Sequence, residues 1–172
     1  MKSGMALTVE RIEELFRIDL VKGKLWHKGR SIGGQPKGRR AGYVAKHGYR
    51  IICIDYVDYF EHNLIWFLAY GQWPPSGVEV DHINRIRKEN QLRNLRLGSR
   101  SLNNANMRLR RDNKAGYRGV HFNKEKNKFC AQVTKDGKTK SLGYFTTAEE
   151  AARAAAKVRQ ELFGEFAYHP GL

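Results

Sequence analysis

The segment "VEVDHINRIRKENQLRNLRLGSRSLNNANMR", residues 78–108, places an Asp-His pair, Asp81 and His82, ahead of six asparagines. Asparagine is a poor residue for strands and for helix interiors. A segment so rich in amides is either a solvated basic loop or a place where several amides have specific roles. Its apolar pattern predicts two strands followed by a helix. These elements are Val78 to Ile83, Asn94 to Leu97, and a helix that Ser99 caps and that runs to about Arg108.

The Asp-His pair and a later amide suit the hydrolysis of a phosphodiester bond. That reaction requires a base that activates water, a hard cation that stabilises the phosphate and the leaving oxygen, and a group that holds the base in one tautomer. His82 is the candidate base. The carboxylate of Asp81 and the amide oxygen of Asn103, in the first turn of the predicted helix, are acceptable ligands for Mg²⁺.

The spacing of these residues resembles the HNH endonuclease family, and most closely its phage and intron-homing branch, whose unit is the ββα-metal fold. The resemblance implies that Asp81 and Asn103 bind a single divalent metal ion and that His82 is the general base. The matching segments are "VDHIN" from Val80, "ENQLRNLR" from Glu89 and "SLN" from Ser101, with His62 upstream.

The same resemblance gives further polar residues supporting roles. It implies that Asn94 orients His82 and pins the loop, and it places His62 and Asn90 at supporting positions. For His62 the alternative is a packed or capping residue, and for Asn90 it is a local turn bond. The family usually carries a glycine-containing turn after the Asp-His pair, where this chain has Arg85-Ile86-Arg87.

The net charge of +15 is concentrated in one part of the chain. Between Asn84 and Lys128, 14 Lys and Arg residues stand against three acidic ones. This asymmetry predicts a polyanionic partner, and we expect double-stranded DNA. A merely soluble basic surface is the alternative. The arginines expected to neutralise phosphates as a group are Arg85, Arg87, Arg93, Arg96, Arg100 and Arg108.

The composition narrows the class of protein further. A length of 172 residues with 41% hydrophobic residues is enough for one domain or two small ones with packed cores. The chain has no run of 18 apolar residues and no apolar signal-peptide core. We therefore expect no membrane partner and a cytoplasmic location, in an infected bacterium if the chain is encoded by a phage. Cys53 and Cys130 are far apart, which predicts neither a disulfide framework nor a structural zinc site.

Upstream of the nuclease-like segment, the pattern predicts a β-rich region. A first helix is expected over residues 8–17, with Thr8 as its cap and Phe16 on its apolar face. The segments "GKLWHK" and "GYRIICIDYVDYFEH" predict strands. A mostly apolar helix is expected over residues 62–71, where Gly71 ends it.

The C-terminal part predicts three antiparallel strands covered by one helix. Strict alternation in "KFCAQVT" places Cys130, Gln132 and Thr134 on the face opposite the apolar residues. Asp136-Gly137 predicts a tight hairpin. The helix begins after its cap Thr147 and has an apolar stripe rich in alanine. It covers one face of the sheet and leaves the other face free and polar.

The motifs "YRGV", "LGYF", "TAEEAARA" and "GEFA" make this part similar to the ethylene-response-factor (Apetala-type) DNA-binding domain, known from plants and also fused to HNH nucleases in phages. The resemblance implies that the sheet enters the major groove, in agreement with its free polar face. The plant domain has more Arg and Trp on its strands, so the resemblance does not imply that the target sequence is the plant one. Ordinary solvent-facing positions are the alternative. The candidate contacts are Arg118, His121, Gln132, Thr134, Thr139 and Ser141.

These observations predict an α+β protein, in which an N-terminal β-rich region leads into a ββα-metal unit at about 60–108 and a three-stranded antiparallel sheet packed on one helix follows. The expected domains are 1–108 and 116–172, with a linker at 109–115. The predicted function is a homing-like DNA endonuclease that nicks at sites selected partly by the C-terminal domain. One divalent ion is expected, Mg²⁺ with Mn²⁺ as the alternative, and a monomer with a dimer as the alternative.

Two other functions stay open at the level of sequence. The first is a non-catalytic, sequence-specific DNA-binding protein. The second is a basic RNA-binding protein, but the free face of the predicted sheet has few aromatic residues on which single-stranded bases would stack.

Overall fold

The computed structural model describes residues 7–29 and 37–168. The chain forms two compact units, one up to Leu97 and the other from Gly98 onward. Helices alternate with small sheets along the chain, so the predicted α+β class is confirmed. No described helix has the length and the apolar composition needed to cross a membrane.

The N-terminal unit is built from short strands and two helices. In chain order its elements are α1 (Val9–Leu15), β1 (Phe16–Asp19), β2 (Lys24–His27), β3 (Tyr43–Val44), β4 (Arg50–Ile54), β5 (Val57–Phe60), α2 (Glu61–Tyr70), β6 (Val78–His82) and β7 (Leu95–Ser99). β1 pairs with β2, β4 lies between β3 and β5, and β6 pairs with β7. A buried apolar core that includes Ile12, Leu25, Ile52 and Leu64 joins these elements.

The first helix is shorter than predicted. Thr8 caps it as expected, because its hydroxyl accepts a hydrogen bond from the amide of Arg11 at 3.2 Å. The helix ends at Leu15, and Phe16 instead opens β1 with a φ of −129° and pairs with His27. Phe16 reaches the core from this strand and is 2% exposed. The burial of Phe16 in the sheet, rather than the helical spacing of apolar residues, thus decides that it belongs to β1.

The strand segment "GYRIICIDYVDYFEH" folds back on itself as the β4–β5 hairpin. Asp55 and Tyr56 form its turn with φ values of 49° and 69°, the left-handed conformation that a two-residue turn requires. The hairpin leads directly into α2, whose residues Leu64 and Ile65 are fully buried. The predicted helix is confirmed, and it ends at Gly71 with a φ of 70°.

The loop between β6 and β7 turns without a glycine. Arg85 adopts a φ of 64°, in the left-handed region, and its amide donates to the carbonyl of His82 at 2.9 Å. The side chain of Asn84 accepts from the amide of Ile86 at 2.9 Å and stabilises the turn. A side-chain hydrogen bond thus supports a conformation that costs a non-glycine residue about 1–2 kcal/mol. A short 3₁₀ helix, Leu92–Asn94, then leads into β7.

The C-terminal unit has one sheet and two helices. Its elements are α3 (Arg100–Asn106), β8 (Val120–Asn123), β9 (Lys128–Lys135), β10 (Lys138–Phe145) and α4 (Ala148–Phe163). β9 lies between β8 and β10 and pairs antiparallel with both. The predicted hairpin is confirmed, since Asp136 and Gly137 turn with φ values of 49° and 76°. Thr147 caps α4 and forms a capping box with Glu150.

One face of this sheet is buried under α4, as predicted. Ala131 in β9 and Ala155 in α4 are fully buried, and such small residues let the helix approach the sheet closely. The opposite face differs from the prediction at Cys130, which is 7% exposed rather than solvent-facing. Its neighbours on the adjoining strands, His121 and Tyr144, flank it and occupy the exposed positions.

Helix α3 is anchored within the C-terminal unit. Ala105 lies in the core of that unit, and Arg159 of α4 donates to its carbonyl oxygen at 2.9 Å. The guanidinium group of Arg118 donates to the carbonyl oxygens of Asn104 and Met107. These carbonyls lie at the C-terminal end of the helix, where the last carbonyls lack the regular helical partners, although the amide of Met107 also donates to that of Asn104 at 3.3 Å. Two arginines therefore hold the end of α3.

The division into compact units does not coincide with the linker expected from the sequence. The units separate after Leu97, within β7, and α3 belongs to the C-terminal one. The sequence instead places the boundary between functional domains at 109–115. That functional boundary stays a prediction.

Gly23 and Gly71 provide a matched test of how the N-terminal unit holds its loop. Both have a left-handed backbone, with φ values of 61° and 70°. A Cβ at Gly71 would meet nothing within 4 Å, whereas one at Gly23 would lie 2.0 Å from the carbonyl carbon and oxygen of Asn90. We expect Gly71→Ala to lower the free energy of unfolding by about 1–2 kcal/mol, the backbone cost alone. Gly23→Ala should lower it by clearly more.

Urea denaturation followed by tryptophan fluorescence measures both losses. All three tryptophans, Trp26, Trp66 and Trp73, lie in the N-terminal unit, so the signal reports on that unit. Equal losses for the two variants would contradict a close contact between Gly23 and the loop.

Candidate active site and nucleic-acid interface

His82 ends β6, and its imidazole is buried, with 3% of the residue exposed. Its Nε2 lies 2.8 Å from Oδ1 of Asn90. Because an amide oxygen only accepts hydrogen bonds, this contact requires the ring hydrogen on Nε2 and leaves the lone pair on Nδ1. The geometry therefore makes Nδ1 the basic atom of the ring.

Asn90 is held from its other side by a carboxylate. Its Nδ2 donates to Oε2 of Glu61 at 2.7 Å, and the two residues are 1% and 0% exposed. Since a carboxylate only accepts, the amide must present its nitrogen to Glu61 and its oxygen to His82. The local turn bond considered for Asn90 is therefore wrong, because its contacts reach residues 8 and 29 positions away.

Two arginines surround the carboxylate of Glu61. Arg40 forms a two-pronged ion pair with it, at 2.5 Å from Nη1 to Oε1 and 2.7 Å from Nη2 to Oε2. Nε of Arg50 lies 3.9 Å from Oε2. Burial, together with the charge of Arg40, lowers the pKa of Arg50. A fully buried carboxylate is tolerated when cations pair with it, so this cluster is what allows Glu61 to lie in the core.

Asn94 pins the loop that follows β6. Its Oδ1 accepts from the amide of Asn84 at 3.1 Å, and its Nδ2 donates to Oδ1 of Asn84 at 3.0 Å. The same Nδ2 donates to the carbonyl of Glu89 at 2.7 Å. The carbonyl oxygen of Asn94 accepts from the amide of Ile83 at 2.9 Å. These bonds support the expected role of Asn94 in holding the loop. The hydrogen bond to the imidazole of His82 comes from Asn90 instead. The orienting role expected for Asn94 stays a prediction.

His62 lies in a cluster of rings beside His82. Its ring centroid is 5.0 Å from that of His82, 5.1 Å from Tyr49 and 5.4 Å from Phe60. Burial, reinforced by the nearby His82, lowers the pKa of His62 to about 3. His62 is therefore a neutral, packed ring at physiological pH, as in the packing alternative considered from the sequence.

The same cluster keeps His82 in its basic form. Burial lowers the pKa of His82, and the hydrogen bond to Asn90 and the charge of Asp81 oppose this effect only in part. A histidine with a lowered pKa is neutral at pH 7, so one of its ring nitrogens carries no hydrogen. This is the state that a general base requires.

Asp81, the first predicted metal ligand, is paired in this structure with Arg96. Nε of Arg96 lies 3.2 Å from Oδ2 of Asp81, and both side chains are largely buried. Arg96 was expected to neutralise a phosphate, and the structure places it beside the predicted ligand. A guanidinium at this position holds the carboxylate in place.

Asn103, the second predicted ligand, lies in α3 and thus in the C-terminal unit, whereas Asp81 lies in the N-terminal unit. Its Nδ2 donates to the carbonyl of Gly98 at 3.4 Å. A Cβ at position 98 would come within 2.3 Å of Oδ1 of Asn103. The absence of a side chain at Gly98 therefore makes room for this amide.

The chemistry of the two predicted ligands fits a hard divalent cation. A carboxylate and an amide oxygen are the donors that Mg²⁺ takes from proteins, where it commonly retains several waters and substrate oxygens. Across residues 7–29 and 37–168, no three His, Cys, Asp or Glu side chains gather as a metal site would require. The assignment of Asp81 and Asn103 as metal ligands stays a prediction.

The predicted phosphate-binding arginines differ in their surroundings. Arg87, Arg93, Arg100 and Arg108 are exposed. Arg87 stacks over the ring of Tyr49 at 4.9 Å and donates to the carbonyl of His47 at 2.8 Å. Its planar group is therefore held on the same side of the unit as the ring cluster that contains His82.

The free face of the C-terminal sheet brings together most of the predicted DNA contacts. Gln132 lies opposite Ser141, and Thr134 lies opposite Thr139 with their hydroxyl oxygens 2.8 Å apart. His121, on β8, is exposed on the same face. Five of the six predicted residues thus form one polar surface, which we call the sheet surface.

Arg118 is the exception among these residues. Its guanidinium is occupied by the carbonyl oxygens of α3, and burial lowers its pKa. The structure therefore gives Arg118 a role inside the C-terminal unit. Its predicted contact with DNA is not tested by this arrangement.

Two family models match the chain, and they cover the two regions just described. Residues 59–105 match the HNH endonuclease model, and residues 115–165 match the AP2 domain. Over 106 residues the chain is 32% identical to "Protein 3.8" of Escherichia phage T7, a stretch that covers 62% of this chain and 86% of that protein. The chain belongs to the HNH endonuclease family.

A second relative carries the family in its name. Over 125 residues the chain is 34% identical to "Uncharacterized HNH endonuclease L560" of Acanthamoeba polyphaga mimivirus. The aligned stretch covers 73% of this chain and 64% of that protein. The chain thus spans slightly less than two thirds of this relative. No solved structure matches the chain. The predicted fusion of an HNH nuclease with an AP2 domain is confirmed, and HNH nucleases generally use a divalent metal ion.

Sequence reasoning missed Glu61 and Arg40 as parts of the HNH site. Glu61 directly precedes His62 at the start of an otherwise apolar helix, in "EHNLIW". A charged residue that opens a buried helix is the available signal, since such a carboxylate requires a partner. The partners themselves, Arg40 and Asn90, lie too far along the chain for a local pattern to identify.

The low pKa of His62 makes the stability of the N-terminal unit depend on pH. The unfolded residue has the ordinary pKa of 6.5 and the folded one a pKa of about 3. Between these values the unfolded chain binds a proton that the folded chain does not, so stability falls as the pH falls through this range. We expect His62 to lower the free energy of unfolding by up to about 1.4 kcal/mol for each pH unit below 6.5, and to add no pH dependence above pH 7.

Urea denaturation of wild type and His62→Phe between pH 7 and pH 4, followed by tryptophan fluorescence, isolates this contribution. Phenylalanine keeps a packed ring and removes the titrating group. The variant should show the flatter dependence of unfolding free energy on pH. Parallel curves for the two proteins would contradict the burial of a neutral His62.

Proposed function

We propose that this protein is a metal-dependent, homing-like DNA endonuclease that nicks its substrate at sites selected partly by the AP2 domain. The observation that carries the proposal is the state of His82, a buried neutral imidazole whose Nε2 donates to Asn90 and whose Nδ1 is the basic atom. Residues with perturbed pKa values cluster at functional sites, and His82 directly follows Asp81 in the HNH motif. The family match over residues 59–105 gives the reaction class.

In the proposed mechanism, Nδ1 of His82 takes a proton from water. The resulting hydroxide attacks the phosphorus in line, and the bond from phosphorus to the 3′ oxygen breaks. The imidazolium keeps its Nε2 hydrogen on Asn90 throughout, so the ring does not rotate away. A Mg²⁺ or Mn²⁺ ion held by Asp81 and Asn103 would supply Lewis-acid stabilisation of the phosphate charge and of the leaving oxygen. Arg96 keeps the carboxylate of Asp81 in position.

The exposed arginines of the HNH region supply the general affinity for the DNA backbone. Arg87, Arg93, Arg100 and Arg108 lie in the most basic part of the chain. Each phosphate contact releases counterions and makes binding depend on salt. One His82 per chain means that a monomer hydrolyses one strand at each encounter, and a double-strand break would require a dimer or a second encounter.

The sheet surface of the AP2 domain is the proposed reader of DNA sequence. Its members are hydrogen-bonding side chains on paired strands, and a sheet can enter the major groove and reach base edges. Gln132 lies on the central strand β9, and glutamine can form two hydrogen bonds with adenine. His121, Thr134, Thr139 and Ser141 surround it.

Conversion of supercoiled plasmid to open circle in the presence of Mg²⁺ tests the nuclease activity. We expect His82→Ala to lower the rate of nicking by about 10²–10⁴-fold, the usual contribution of a general base, while DNA affinity is kept. Asp81→Ala and Asn103→Ala should weaken the binding of Mg²⁺, so both variants should nick more slowly and require more Mg²⁺. Glu161→Ala, an exposed change on α4, is the control and should nick at the wild-type rate.

Absence of open circle with the wild-type protein, in Mg²⁺ or Mn²⁺, would favour the non-catalytic DNA-binding protein instead. A wild-type rate in His82→Ala would remove His82 from the mechanism. Mapping of the cleavage sites on phage and host DNA then supplies the sequence needed for binding measurements.

Gln132→Ala and Arg93→Ala separate sequence reading from phosphate binding. Gln132→Ala should weaken binding to the mapped site by about 1–3 kcal/mol and leave binding to random duplex DNA nearly unchanged. Arg93→Ala should weaken both equally and reduce the slope of log K against log salt by about 0.9. Titrations over a salt series measure these effects.

An equal loss on both DNAs for Gln132→Ala would contradict the assignment of the sheet surface. Competition by duplex RNA as strong as by duplex DNA would favour the RNA-binding alternative.

A further inference from the structure

A continuous line of buried polar groups leads from two arginines to the proposed base. It runs from Arg40 and Arg50 through Glu61 and Asn90 to His82, and all five residues belong to the N-terminal unit. We propose that Glu61 is a positioning residue that fixes the tautomer of His82 through the side chain of Asn90. The inference rests on the proposed role of His82 as the base, but its structural content can be measured without activity.

The first step concerns the two ways in which an asparagine side chain can lie. Its amide has a donor end and an acceptor end of nearly equal size, so an unconstrained Asn90 can turn over. With the nitrogen toward His82, Nε2 would have to accept and the ring hydrogen would move to Nδ1. That tautomer has no lone pair on Nδ1, and the proposed basic atom would be lost.

The second step is that Glu61 forbids the turned-over state. Its Oε2 is 2.7 Å from Nδ2 of Asn90, and a carboxylate offers no hydrogen for an amide oxygen. Turning Asn90 over would place two oxygens against each other in a site with no exposure to water. An unpaired buried contact of this kind is strongly unfavourable.

The third step is that the arginines keep Glu61 in the state that the second step needs. Arg40 contacts both carboxylate oxygens, and one of its nitrogens, Nη1, also donates to the carbonyl of Leu25 at 2.7 Å. Arg50 adds a second positive charge at 3.9 Å. Asn90 therefore meets an ion-paired carboxylate, whose oxygens only accept hydrogen bonds.

The fourth step is that the backbone of Asn90 has little freedom to move away. The backbone of Gly23 packs so closely against its carbonyl group that a Cβ at position 23 would overlap it. On the following turn, Asn94 holds the loop through the carbonyl of Glu89. The orientation of the Asn90 side chain is therefore the remaining variable, and Glu61 decides it.

The experiment records long-range ¹H–¹⁵N correlations of the histidine rings in the ¹⁵N-labelled full-length protein, which report directly which ring nitrogen carries the hydrogen. Wild type should show His82 with the hydrogen on Nε2. Glu61→Gln keeps the size but can donate or accept, so Asn90 can adopt both orientations. We expect a mixture of His82 tautomers in this variant. The kcat for plasmid nicking should fall by about 10–100-fold, the usual effect of removing a group that orients a functional residue through a hydrogen bond. The KM for DNA should be unchanged.

A double variant, Glu61→Gln with Asn90→Asp, provides the rescue. The carboxylate is now at position 90, where it accepts from Nε2 of His82 whichever way it turns, and the glutamine at position 61 donates to it. The total charge is conserved. We expect the Nε2–H tautomer to return and kcat to recover at least tenfold relative to Glu61→Gln. Glu13→Gln, an exposed change on α1, is the control and should alter neither reading.

The outcomes separate positioning from a merely structural role. A folded Glu61→Gln protein that keeps a single Nε2–H tautomer, or that loses kcat with the tautomer unchanged, overturns the proposal. If Glu61→Gln does not fold, the wild-type spectrum decides: the Nε2–H tautomer of His82 supports the orientation that Glu61 imposes on Asn90, and the Nδ1–H tautomer overturns the proposal.

Failure of the proposed function is distinguishable from failure of this inference. If wild type and all variants show the expected tautomers but wild type never nicks DNA, the proposed function is overturned and the positioning role of Glu61 remains. A wild-type protein that nicks DNA with the hydrogen of His82 on Nδ1 overturns the positioning role alone.

Discussion

Several segments of the N-terminal unit meet at one buried charge, the carboxylate of Glu61. A carboxylate with no exposure to water is unfavourable unless cations and donors surround it, and Arg40, Arg50 and Asn90 meet this requirement from three different segments. The consequence is that the segments cannot shift independently. The first residue of α2, the strand β4 and the loop after β6 are positioned by a single polar contact network, and His82 lies at its end.

Local patterns predicted those parts of the fold whose causes are local. The cap of α1 at Thr8, the end of α2 at Gly71 and the hairpin at Asp136-Gly137 follow from side chains and φ values within a few residues. Phe16 and Cys130 were misplaced, because what decides them is contact with residues on other strands. Periodicity describes one element at a time, and it carries no information on which neighbour covers a side chain.

In the candidate site, too, the sequence predicted some features and left others to be seen only in the structure. The Asp-His pair and the spaced asparagines indicate the HNH family because they lie within one short segment of the chain, inside the matched residues 59–105. Asn90 contacts the imidazole and Asn94 the loop, a division that spacing alone does not reveal. Counts of basic residues likewise fail to separate roles, since Arg96 and Arg118 are bound within the protein whereas Arg87 and Arg93 are exposed.

Helix α3 has a consequence for how such proteins are assembled by recombination. Its end is bound by Arg118 and Arg159, and Ala105 fills the core of the unit that contains the AP2 sheet. A genetic exchange at residues 109–115 would join α3 to a foreign domain that lacks these partners, leaving its last carbonyls and an apolar face in water. A crossover ahead of Ser99 would instead transfer the helix together with its anchors. The structural unit on the C-terminal side is therefore larger than the AP2 match at residues 115–165, and it includes Asn103.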